Sequence, residues 1–356
     1  MMTIQPPSIL KPVLVLASAS VLLALMHLAA SFLVPVLLSI FFATLLTPIY
    51  SWLKKKRLPK FLALVLSIGL LLLIAFFLLL LVGRSVTALT SSLDGYQDQF
   101  SQRQAELAAQ VEALNSGADL MPLLSIVDPQ ALAGTLRFTL STVAGILKNG
   151  LIILMLTIFL LVEAPLFKAR MSQTFGAESS VTQNVLSVAR IMINYFGLRA
   201  VVNLVNAVVT GLMLWLFGIE YAGLWAVLIF FLSFIPYIGA IVSMIPPILL
   251  AFAQSGLGLA VLVGLLAVVI NAASENVLQP MVMGISLKVS PTAVFLSTML
   301  WVFILGGPGA FLAMPLTMAL ILFMRNYAET RGLAALLVTV PEPQPELAPE
   351  ELLLKH

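Results

Sequence analysis

From Tyr221 to Ser274 the chain runs for 54 residues without one charged side chain, and Gly and Pro interrupt it midway at Ile235-Pro236-Tyr237-Ile238-Gly239. A second charge-free stretch of 36 residues, Val289 to Met324, is interrupted at Gly306-Gly307-Pro308-Gly309. Runs this apolar belong in lipid. An unsatisfied peptide group in hydrocarbon is costly, so irregular backbone survives there only where protein buries it or where it lines a cavity. Broken segments at matching places are a pointer to a transporter's substrate site. The backbone at Pro236, Tyr237, Gly239, Gly307, Pro308 and Gly309 could therefore meet a ligand; the alternative is a kink or a close helix crossing.

Only 9% of the residues are charged, against about 25% in a typical soluble domain. The 18 basic and 15 acidic residues are confined to a few loops. The basic balance thus reports membrane-flanking Lys and Arg, and no nucleic-acid partner is expected. The bilayer itself is the expected surrounding. There is no cysteine, which excludes disulfides and thiolate chemistry, and His27 and His356 are the only histidines, which excludes a histidine metal cluster. Neither a phosphate-binding Gly-x-x-x-x-Gly-Lys-Ser/Thr run nor a His-Glu-x-x-His or Gly-x-Ser-x-Gly motif occurs. No cofactor, metal or catalytic residue is expected, and the chain does not read as an enzyme. An intramembrane enzyme and a non-transporting scaffold remain the less favoured classes.

Pro12 to Leu53 is long enough for two spans of about 20 residues turning near His27 to Ser31. The first apolar stretch reads as an uncleaved signal-anchor. Lys54, Lys55, Lys56, Arg57 and Lys60 follow, and Phe61 to Gly83 is a third span. Short basic loops stay in the cytoplasm, so this loop and the N-terminus are expected inside and residues 85–145 outside. That insertion carries six acids and two bases between Asp94 and Arg137. Leu89, Leu93, Tyr96, Phe100, Leu107, Val111 and Leu114 form one helical stripe, with Arg103 where the stripe would continue. Asn115-Ser116-Gly117 should stop this helix, and Asp128-Pro129 should cap the next. The insertion reads as a small helical lid, with a subunit contact as the alternative.

The chain is expected to re-enter near Thr139 and exit near Val162. Residues 167–199 read as a cytoplasmic loop ending in an interfacial amphipathic helix, with Tyr195, Arg199 and Trp215 as interfacial anchors. Ala200 to Ile219 is the fifth span. Residues 221–253 and 289–324 are each too long for one untilted span, so each is a re-entrant hairpin or a long tilted helix. Hairpins leave Lys288 and Arg325 both inside. Leu257 to Ser274 is a further span. Four prolines and four glutamates between Pro341 and Glu351 give a disordered cytoplasmic tail over 341–356. The organisation is then three spans (1–84), the insertion (85–145), a transport core (146–340) and the tail. Gly239-Ala240 before Pro246 and Gly309-Ala310 before Pro315 form a weak internal repeat.

The chain resembles the AI-2E family of bacterial membrane transporters, the autoinducer-2 exporter family. The matching residues are Ile235 to Gly239, Glu275-Asn276-Val277-Leu278-Gln279-Pro280 with Met283-Gly284, Pro291, and Gly309 to Leu316. Met281 and Ala240 depart from the residues the family often carries there. The resemblance implies an all-α polytopic inner-membrane exporter, with about eight membrane segments of spanning length and a homo-oligomeric state such as a pentamer. Family members are associated with autoinducer-2 export, and others with sodium or lithium exchange for protons. A small polar solute or a cation is therefore the expected partner.

Glu275 is the leading candidate for binding substrate or ion. It follows an 18-residue apolar run and opens a polar cluster with Asn276 and Gln279. A carboxylate at this depth must be paired, hydrated or protonated. The alternative is an interfacial Glu at a helix end. Asn271 lies one turn earlier, and Pro280 closes the motif. Asn203 and Asn206, three apart on one helix face, either glue helices together or line a polar path.

Overall fold

The computed structural model describes residues 10–113, 129–236, 238–283, 290–325 and 328–337. Every regular element among them is helical. The protein is an all-α polytopic membrane protein: six described helices are long and apolar enough to cross a bilayer, and seven if the bent pair Asn149–Ala164 and Ala169–Phe175 counts as one span.

Helix α1 (Leu10–Leu28) and α2 (Ala30–Lys55) meet at Ala29, within the expected turn. Helix α3 (Lys60–Ser91) starts after the basic loop, where Arg57 takes a left-handed conformation (φ 63°). It runs past Gly83 and Arg84 without a break, because a change of solvent does not end a helix. Helix α4 (Leu93–Ala113) follows. Leu89, Tyr96 and Phe100 of the expected stripe are buried, and the Phe100 ring packs edge-on against Phe252. These three residues, with the partly buried Leu107, thus pack within the chain. Arg103 pairs with Glu106 at 2.8 Å on its outer side. Asn115-Ser116-Gly117, Asp128, Tyr237, Lys288 and the tail 341–356 lie outside the described residues.

Helix α5 (Pro129–Phe175) is a single element. It begins at Pro129 as expected, and no boundary falls at Thr139. Helix α6 (Ser180–Leu216) corrects a second expectation. The amphipathic stretch and the fifth span are one helix of 37 residues, capped by the Ser179 side chain accepting from the Thr182 N–H. No Pro lies between Ser180 and Leu216, and Gly197 alone does not stop a helix.

Both broken segments fold back on themselves. The first forms α7 (Ala222–Leu232) and α8 (Ile238–Ser255). In one straight helix Glu220 and Gln254 would be about 51 Å apart, yet they line the same cavity. Helix α9 (Leu257–Ala273) turns back from Gly256 (φ 84°). It leads through one π turn, Ser274–Leu278, into α10 (Gln279–Met283). The second segment forms α11 (Pro291–Leu305) and α12 (Gly307–Arg325). Trp301 Nε1 donates to Thr317 Oγ1 at 3.0 Å, where a straight helix would separate the residues by about 24 Å. The closing helix α13 (Ala328–Leu337) accepts the Ser290 N–H at Leu337 O, 3.2 Å, so the start of this hairpin lies against the end of α13.

The two tips use glycine in the same way. A Cβ on Gly239 would lie 1.8 Å from Leu232 O, and one on Gly309 would lie 1.9 Å from Trp301 O. Each glycine is therefore a close crossing of the second half-helix over the first. The weak sequence repeat thus has a structural counterpart.

Candidate functional site

Arg199, Asn203, Asn206 and Thr210 are spaced four, three and four apart on α6, so they share one face. All four are buried. This corrects the reading of Arg199 as an interfacial anchor: it is only 6% exposed. Trp215 is exposed at the end of α6, and Tyr195 packs edge-on against Phe196.

Arg199 organises the site. Its Nη1 and Nη2 donate to the two carboxylate oxygens of Glu275 at 3.0 and 2.8 Å. This is the bidentate fork that guanidinium geometry favours. Nη1 also donates to Gln279 Oε1, and Nη2 donates to Ser233 O at 2.8 Å. One cation thus joins α6, the π turn after α9, and the tip of the first hairpin. The carboxylate expected at Glu275 has its partner.

The π turn has a local cause. Pro280 has no N–H and its ring crowds the carbonyl four residues earlier, Asn276. The wider turn relieves that contact, and such turns are frequent at functional sites. Asn271, Glu275 and Gln279 stay on the side facing α6. Asn276 does not: it is exposed and donates back to Ala272 O at 2.9 Å. Pro280 is exposed as well.

Above the ion pair the amides continue. Asn203 donates to Phe230 O, Asn206 to Asn271 Oδ1, and Thr210 to Asn206 Oδ1, each at 3.3 Å. These residues therefore glue α6 to α7 and α9, and they also set a polar column along one face of α6. Two donors at its base are open. Arg199 Nε and Ser233 Oγ are buried without a hydrogen-bond partner.

The two hairpins meet beside this centre. Phe234 packs against Phe311 with ring centroids 4.8 Å apart, and Phe41 contacts both rings and Phe196. The second break thus reaches the site through Phe311. Pro308 is half-buried and Gly307 exposed, while Gly309 is taken up by the crossing with Trp301. Pro236 is half-buried at the first tip. Near the second tip, His27 Nδ1 lies 2.9 Å from Phe303 O and 3.2 Å from Ile304 O, tying α1 to the end of α11. No metal-binding group occurs among the described residues.

Sequence reasoning missed Arg199 and Ser233. Arg199 stands at the edge of an uncharged run, where an anchor is the usual reading. The available signal was its register, four residues before Asn203 on the Asn203–Asn206 face.

Folded-back hairpins meeting at a buried polar centre, in a chain with this many apolar helices, define a polytopic membrane transporter. The AI-2E family transporter model matches residues 16–329, and the chain belongs to that family. A Haemophilus influenzae protein named for transport is 31% identical over 333 residues, covering 92% of this chain and 96% of that protein. YhhT of Escherichia coli K12, also named for transport, is 28% identical over 322 residues, 90% of this chain and 92% of that protein. The AI-2 transport protein TqsA of Escherichia coli K12 is 26% identical over 332 residues, 92% of this chain and 95% of TqsA.

Proposed function

We propose that this protein is a gradient-driven exporter in the bacterial inner membrane for a small, uncharged, hydroxylated solute such as autoinducer-2. The observation that carries the reading is the bidentate Arg199–Glu275 pair, tied to Ser233 O at the hairpin tip. The pair has no net charge, so it offers an incoming anion or cation no unbalanced partner. What it leaves open are the Arg199 Nε–H and the Ser233 hydroxyl, which suit hydroxyl and carbonyl oxygens. Asn203, Asn206 and Asn271 extend the polar surface toward the α4 side. Movement of the α7–α8 hairpin relative to α6 would exchange Ser233 O for substrate and alternate access. The TqsA relationship supports autoinducer-2 as the first substrate to try.

A sodium or lithium/proton antiporter would need Glu275 to release its proton or cation in each cycle. The Arg199 fork opposes the uptake half of that cycle, because both carboxylate oxygens already accept from the guanidinium. Purified protein in proteoliposomes, given autoinducer-2, sodium or a proton gradient separately, distinguishes the two. Efflux of autoinducer-2 is expected, with a drop of about tenfold or more in Glu275→Gln, since removing one partner strands the other charge. Sodium-dependent proton movement without autoinducer-2 transport would replace this reading with antiport.

A further inference from the structure

A cavity of about 460 Å³ opens on the side of the molecule that carries α4. Gln99, Gln102 and Arg103 of α4 line it, with Glu220 after α6 and Gln254 and Ser255 at the end of α8. We propose that this cavity is a second binding site, for a small uncharged polyhydroxylated solute of sugar type, separate from the Arg199 centre.

The lining argues for that chemistry. Three carboxamides and one hydroxyl offer both donors and acceptors, as vicinal hydroxyl groups require. The two charges that face the cavity are each engaged elsewhere. Arg103 pairs with Glu106. Glu220 accepts from the Tyr96 hydroxyl. Burial, and next that bond to Glu220, push the Tyr96 hydroxyl well above its ordinary range, so it stays a donor. The lining residues themselves carry one charge of each sign, Arg103 and Glu220.

Two further groups are unsatisfied. Gln254 Nε2 is buried with no hydrogen-bond partner. Beside Ser255, α9 begins at Gly256 with no side-chain cap, leaving its first N–H groups as free donors. The cavity is also cut off from the polar column. One turn further in, α6 presents Leu214, α7 Leu224 and Trp225, and α8 Leu250, all fully buried in one apolar cluster. Solute held here cannot touch Arg199 without parting that layer.

The test uses purified full-length protein in nanodiscs, with D-ribose and autoinducer-2 as probes, read by saturation-transfer NMR titration. Saturable binding of at least one probe is expected. Gln254→Leu and the surface variant Gln102→Leu should each weaken D-ribose binding about fivefold, the scale of one lost hydrogen bond to a neutral ligand, while Leu296→Ala, exposed on α11 away from both sites, should leave it within about twofold, because distant sites are independent. Three results overturn the proposal: no saturable binding of either probe, D-ribose binding unchanged in both Gln254→Leu and Gln102→Leu, or displacement of the probe by sodium chloride or inorganic phosphate. Transport is read separately in proteoliposomes, so binding without transport would count against the exporter reading and leave this site standing.

Discussion

Removing the Arg199 side chain would strand Glu275 against an apolar surround. Breaking a buried pair from one side costs about 3–5 kcal/mol, and the lower end applies because the Glu275 side chain is 34% exposed. Arg199→Met should therefore lower thermal stability in detergent by about 3 kcal/mol. The double variant Arg199→Met with Glu275→Met should recover most of that and still not transport. If the double variant is as unstable as the single, the pair is not what costs stability. Arg199→Lys should fold better than Arg199→Met yet transport poorly, since an ammonium cannot serve both carboxylate oxygens and Ser233 O together. Glu275→Gln should lose some stability too, because it leaves the guanidinium without its counter-charge. The site was legible in part. Glu275, Gln279 and the three asparagines announce themselves as polar residues in apolar runs. Their partner is less plain, since it lies 76 positions away, and only its register on the Asn203–Asn206 face separates it from an edge arginine that snorkels.

At the scale of elements, the two glycine crossings make a sharp contrast. Gly239→Ala or Gly309→Ala would drive a Cβ into the backbone carbonyl of the facing half-helix. Overpacking of this kind typically costs about 1–3 kcal/mol, and here the neighbour is backbone and cannot swing aside. Gly258→Ala, in open space early in α9, should be neutral or slightly stabilising because alanine favours the helix. Thermal unfolding of the three purified variants checks this; equal losses in all three would show that the crossings are not tight. Helix boundaries were less legible than the hairpins. Lipid thickness predicts where a span ends, but the helix ends only where capping or a breaker ends it. Hence α3 passes Arg84, α5 passes Thr139, and α6 joins what polarity divides. The breaks were visible because Pro and Gly act on the backbone itself, whatever the solvent.

At the scale of the molecule, the folded-back segments fix which surfaces share a side. Glu220 and Gln254 line one cavity with α4, so cysteines placed at either position should react from the same side as one at Ser101. The chain has no cysteine of its own, which makes each label unambiguous. The charge pattern supplies the direction. Five bases fall within Lys54 to Lys60, at the end of α2, in the turn and at the start of α3, and connections this short retain Lys and Arg in the cytoplasm. Helix α3 then carries the chain to the opposite side before α4 begins. An impermeant maleimide applied to cells with only the outer membrane opened should therefore label Ser101→Cys, Glu220→Cys and Gln254→Cys. A cysteine at Lys55 should react only after the inner membrane is lysed. Labelling of Glu220→Cys and Gln254→Cys from opposite sides would unfold the hairpin into one tilted helix. It would also separate Ser233 O from Arg199 and remove the proposed binding centre with it. Labelling of all three positions only after lysis would keep the fold and invert it, leaving the cavity beside α4 facing the cytoplasm.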